Sequence, residues 1–222
     1  MKNTHELEDD LRERWLKSYP DDERKAFCFD GLCYNGEIYN DGKNAHQGNE
    51  EKLWNNTDRR ILFLMKDTNN NSDSDYREWH WRNINHNFFN CIFKWLEGLS
   101  RISKDFIPTM ENGDYAAVPN AVVTKYPLAI VNIKKISGTS FVSNKTLYEY
   151  ANRDKAFLQE QIRGILHPNI IVCGGGKGTV LNIAKNIIYE DESFREINYF
   201  CHYSRKPVSY THLRAHETLM NL

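Results

Sequence analysis

The sequence predicts an α/β protein, a three-layer sandwich around a central, mostly parallel four-stranded sheet. Two observations carry that expectation. Short apolar runs, each stopped by polar or glycine-rich turn formers, recur at "RRILFLMKDTNNNSD", "YPLAIVNIKKISG", "NIIVCGGGKGTVLNIAKNII" and "EINYFCHYS". Stretches with helical spacing lie between them. Strands buried on both faces read as continuous apolar runs, and strands alternating with helices imply a parallel sheet covered by helices.

Taken in order, residues 5–18 read as an amphipathic helix with Leu7, Leu11 and Trp15 on one stripe. The Asn-, Gly- and Asp-rich stretch that follows contains a hairpin candidate, "FCFDGLCYNGEIYN". The run Ile61 to Met65 is the first core strand. "NFFNCIFKWLEGLSRI" puts Phe88, Phe89, Ile92, Phe93, Leu96, Leu99 and Ile102 at helical spacing, a core-packing stripe. "YPLAIV" is the second strand, and "TLYEYANRDKAFLQEQIRGIL" is one long helix ended by His167 and Pro168. "NIIVC", a Gly-rich turn and a helix follow, and "EINYFCHYS" closes the set. This divides the chain into an N-terminal helix and irregular extension over 1–58, an α/β domain over 59–206, and a tail over 207–222.

Composition narrows the classes. The chain has 222 residues, 40% of them hydrophobic and 27% charged, with a formal net charge of -1. That supports one packed domain and argues against wholesale disorder or a uniformly basic nucleic-acid coat. No apolar run reaches membrane-span length, and the start "MKNTHELEDDLRERW" is too acidic and polar for a signal peptide. Five cysteines, with Cys91, Cys173 and Cys201 inside apolar stretches, read as buried thiols of a cytoplasmic protein. Cys28 and Cys33 are too far apart for a redox or zinc-knuckle pair.

The tail holds His212 and His216, four apart, a spacing that would put two imidazoles on one helix face as a zinc site needs. A different explanation removes that site. "PVSYTHLRAHET", Pro207 to Thr218, resembles an in-frame translation of a transposase sequencing adapter. The expectation is therefore that the natural chain departs from this sequence near Lys206, and that no metal site exists there.

In an open parallel sheet, ligands bind at the carboxyl ends of the strands. The polar residues at those ends are Lys66 to Asn70, Asn132 to Lys135, Gly174 to Lys177, and His202 to Ser204. Asp67 closes "ILFLMKD", Asn132 follows "LAIV" as "VNIKK", a Gly-containing turn opens a helix in "IIVCGGGKGTVLNIA", and His202-Tyr203-Ser204 ends the last strand. In this order and spacing, roughly residues 60–206 resemble the uracil-DNA glycosylase superfamily. Thr68 and Tyr203 stand where that family's motifs have prolines, and the four-cysteine cluster of some branches has no counterpart.

The resemblance implies a site that takes a base out of the stack and cleaves its N-glycosidic bond. Asp67 would position water and stabilise the sugar cation, and His202 would donate to the leaving base, these two being the catalytic pair. Asn132 would read the pairing edge, since an amide offers both donor and acceptor. Lys66, Thr68, Asn69, Lys134, Gly174, Gly175 and Ser204 would complete substrate binding, the glycines by letting backbone amides approach a phosphate. The implied partner is DNA or a nucleotide, bound by a monomer with neither cofactor nor metal. Each residue also has a plain structural reading. "DTN" is good turn chemistry for Asp67, Asn132 suits a strand end, and "GGGKGT" matches neither a P-loop nor a dinucleotide fingerprint. Trp79 and Trp81 in "REWHWR" suit base stacking or loop anchoring equally. Three readings stay open: a glycosylase, a non-catalytic nucleotide- or nucleic-acid-binding module, and a hydrolase or transferase of small nucleosides.

Overall fold

Strand Ile61–Asp67 (β3) is the middle of the protein, because two other apolar runs align with it in the same direction. The structure is a computed structural model, and it describes residues 2–40, 44–68, 74–78, 87–103, 105–106, 108, 119–138, 141–174 and 178–190. Within these residues helices and strands mix. Ala129–Lys134 (β5) and Ile170–Cys173 (β6) flank β3 in parallel, in register Leu64↔Val131 and Leu64↔Cys173. The edge of β5 is completed by Gly31–Leu32 (β2), antiparallel, giving the order β2-β5-β3-β6. Cys28–Phe29 (β1) pairs instead with Ser74–Asp75 (β4).

Alternation along the strands divides the apolar side chains into two clusters. Leu62, Leu64, Ala129, Val131, Ile133 and Ile171 pack with the N-terminal helix Thr4–Ser18 (α1), which the short helix Asp21–Arg24 (α2) follows, with Trp54 of Glu50–Asn56 (α3), with Asn144–Arg153 (α6) and Lys155–Gln159 (α7), and with Thr179–Ile183 (α8). Ile61, Phe63, Met65, Ile130, Ile170 and Val172 pack with Asn87–Arg101 (α4) and Pro119–Lys125 (α5). The stripe in α4 delivers Ile92, Phe93, Leu96 and Leu99 to that second cluster, with Phe89 partly buried against it. The side chain of Phe88 lies outside the described residues.

Three local expectations change. Leu7 is exposed, and the buried side of α1 is Thr4, His5, Glu8, Leu11 and Trp15, so polar residues occupy positions that a hydrophobic stripe would not give them. The helix is well started by a capping box, with the Asn3 side chain accepting from the Glu6 amide and Glu6 accepting from the Asn3 amide. The segment 27–40 is not a simple hairpin: its two short strands part at Asp30 to join different sheets, and Ile38 bridges to Ala45. The expected long helix breaks at Asp154, whose N–H still reaches the Tyr150 carbonyl. It restarts as α7 and widens into π geometry over Glu160–Leu166, ending at His167 in the left-handed region (φ 45°) just before Pro168.

The N-terminal segment is built into the centre rather than laid over it. Trp15, Phe27 and Phe29 are fully buried, with Trp15 stacked on Phe157 at 5.3 Å between centroids. Burying aromatics of this size contributes several kcal/mol, on the order of 25 cal/mol per Å². Cys28, Cys33 and Cys173 are buried and Cys91 half-buried, all as thiols. Among the described residues, no helix is long and apolar enough to cross a membrane.

Candidate functional site at the carboxyl ends of the central strands

The parallel pairing sets Asp67 directly beside Lys134, the last residues of β3 and β5. Their Oδ2 and Nζ stand 3.6 Å apart, an ion pair too long for a hydrogen bond. Both side chains are about nine-tenths buried, at 9% exposure. Lys134 Nζ donates to the Ile136 carbonyl and lies 5.3 Å from the centre of the Tyr150 ring on α6. Burial pushes the Asp67 carboxyl above its ordinary value, against the opposing pull of Lys134 and Lys66. The Oδ2 atom is buried and accepts no hydrogen bond among the described residues.

The turn after β5 closes over this carboxylate. Gly138 N–H donates to the Thr68 carbonyl at 2.9 Å, and Ser137 N–H to the Ala26 carbonyl at 2.8 Å. A side chain on Gly138 could not fit, since its Cβ would stand 2.7 Å from Asp67 Oδ2 and 3.1 Å from Lys134 Nζ. Thr68, itself 7% exposed, keeps a buried hydroxyl with no hydrogen-bond partner among the described residues, as does Ser137. Lys66, Asp67, Thr68 and Lys134 thus lie at the carboxyl ends of two neighbouring strands, β3 and β5. Ser137, Gly138 and Tyr150 join them without having been singled out, although Ser-Gly after an apolar run is a readable turn signal.

Asn132 lies two residues back from Lys134 on β5, opposite Met65, and is buried. Its backbone and side-chain amides both donate to Asp30 Oδ2, at 3.0 and 2.9 Å. Asp30 also takes the Lys135 ammonium, and Gln161 Nε2 donates to the Asp30 carbonyl at 2.6 Å. Burial drives the Asp30 carboxyl up, and Lys135 and Asn132 pull it down, leaving it raised. One N–H of the Asn132 amide is therefore committed inside the protein. Gly174 serves packing: its N–H donates to the Leu64 carbonyl at 2.7 Å, and a Cβ there would run into the Met65 sulfur.

Asn69, Gly175, His202 and Ser204, with Trp79, Trp81, Lys177 and the whole tail, lie outside the described residues. Among the described residues, no three His, Cys, Asp or Glu side chains are grouped to hold a metal ion. No family model, no curated protein and no solved structure matches the chain.

Proposed function

We propose that the chain is a uracil-DNA-glycosylase-like sandwich that hydrolyses the N-glycosidic bond of a base in DNA or in a nucleotide, with Asp67 as the working carboxylate. One observation carries the reading: a buried carboxylate oxygen with no hydrogen-bond partner among the described residues ends a strand that is flanked by parallel strands on both sides. A raised carboxyl is a stronger base than an exposed one. In the reaction, a water oxygen bonds to the sugar C1′ as the C1′–N bond breaks. The base leaves as an anion with the bonding electron pair, the water gives its proton to Asp67, and that proton passes through solvent to the released base. Lys134 keeps the carboxylate ionised before that transfer.

A second reading has its own support. A pairing-edge reader needs a free amide, and Asn132 spends one N–H on Asp30. That favours a binding module on the same fold, without turnover.

Single-turnover release of uracil from single- and double-stranded oligonucleotides, from uridine and from deoxyuridine monophosphate separates the two, with binding followed in the same samples. Release that falls at least about a hundredfold in Asp67→Asn, well beyond any loss of binding, supports the hydrolase. Binding without release in either protein supports the module. If the ligand is DNA, affinity falls steeply with salt. Absence of both binding and release overturns both readings.

A further inference from the structure

We propose that Asp67, Thr68 and Ser137 form a subsite for the sugar hydroxyls of a free ribonucleoside or ribonucleotide. The inference rests on the glycosidic reading above and narrows its substrate. Asp67 Oδ2, Thr68 Oγ1 and Ser137 Oγ are all buried and lack a hydrogen-bond partner among the described residues. Native folds pair nearly all such atoms, so three on two chain segments joined by the Gly138–Thr68 hydrogen bond mark groups left for something else. Gly138 brings its backbone against Asp67 Oδ2 and Lys134 Nζ, a close approach that any Cβ would block.

Charge selects the ligand class. A cation faces the Lys134 ammonium 3.6 Å from the carboxylate, and an anion faces the carboxylate itself. A neutral hydroxyl suits both, since it donates to Asp67 and accepts from a Thr or Ser hydroxyl. A vicinal diol offers two such groups to these three partners. The 2′- and 3′-hydroxyls of a free ribonucleoside are such a diol. Within a DNA strand the 2′-hydroxyl is missing and the 3′-oxygen is esterified.

The test is a binding series on the full chain with uridine, 2′-deoxyuridine, 3′-deoxyuridine and 2′,3′-dideoxyuridine, read by titration calorimetry. Each deleted hydroxyl is expected to weaken binding by about tenfold. Thr68→Val and Ser137→Ala, checked for folding by thermal melts, should flatten the series, and Gly138→Ala should weaken uridine most. The wild-type series needs no variant to decide the matter. Equal affinity across it overturns the subsite, and so does binding of no member, which would leave the three atoms to water alone. Uracil release is scored separately. Release without hydroxyl discrimination sinks this inference only, whereas discrimination without release sinks the hydrolytic reading and leaves the subsite standing.

Discussion

Asn132 and Asp30 share a single carboxylate oxygen between a backbone and a side-chain amide, at 3.0 and 2.9 Å, in the buried seam between β5 and the segment that leads into β2. The contact ties the strand end that sequence assigns to a ligand into the protein's own scaffold. Asn132→Ala should therefore destabilise the fold by about 1–3 kcal/mol, because a buried carboxylate loses a charge-assisted hydrogen bond. Asn132→Asp should cost more, by setting two carboxylates together. Urea unfolding of both variants checks the order.

Lys135 is fully buried against Asp30, with its ammonium 4.8 Å from the Trp15 ring centre and 3.2 Å from Gln161 Oε1. Removing it leaves an unpaired charge in the core. Lys135→Met alone should cost about 3–5 kcal/mol, and Asp30→Asn in the same chain should recover much of that loss. Denaturant melts of the single and double variants read this directly.

His5 sits between two carboxylates, Nε2 at 2.8 Å from Glu50 and Nδ1 at 3.8 Å from Glu8. Burial opposes its charge, yet hydrogen bonds and attraction from Glu50 and Glu8 together raise its pKa to about 9. The folded value lies above the unfolded 6.5, so the stabilisation is complete below pH about 6.5 and fades as pH rises through about 9. The loss should be on the order of 3 kcal/mol. Stability measured from pH 6 to 10 should fall in the wild type and stay flatter in His5→Gln.

Gly31 has a specific reason to be glycine, since a Cβ there would enter the Glu8 carboxylate. Glu8 has little freedom to withdraw: it is fully buried, 3.7 Å from the Arg77 guanidinium, and Arg77 is held by Asp75 and Asp9, each at 2.6 Å. Gly31→Ala should destabilise by about 1–3 kcal/mol. In a Glu8→Ala background the added cost should largely vanish, a non-additivity that thermal melts of the four proteins expose.

The legible parts of this fold are those where a single segment carries its own signal. Ile61–Asp67, Ala129–Lys134 and Ile170–Cys173 announce themselves as apolar runs with polar stops, and α4 through its spacing. Asp67 beside Lys134 follows from two such stops in a parallel sheet. What sequence hides is long-range polar pairing. Glu8, Asp30 and Gln161 carry no sign of burial in sequence, and Lys135 reads as a strand-end group open to a ligand, because nothing local shows that each finds an opposite charge or amide far along the chain. The same blindness made Leu7 look like a core position and Asn132 look free for a ligand. Ser-Gly after an apolar run is a turn signal, but the closure of that turn over Asp67 depends on where β3 ends in space.

The middle position of β3 also bears on synthesis. Its neighbours β5 and β6 follow in the chain, the nearer one only ~60 residues later, several seconds at ribosomal speeds. Through that interval Ile61–Asp67 has both backbone edges open and an apolar body, the kind of segment that self-associates. A nascent chain of this protein thus carries the longest strand among the described residues uncapped until later strands emerge. Chaperone demand should peak in that window, and slowing elongation between residues 68 and 129 should raise the aggregated fraction more than slowing it before residue 61.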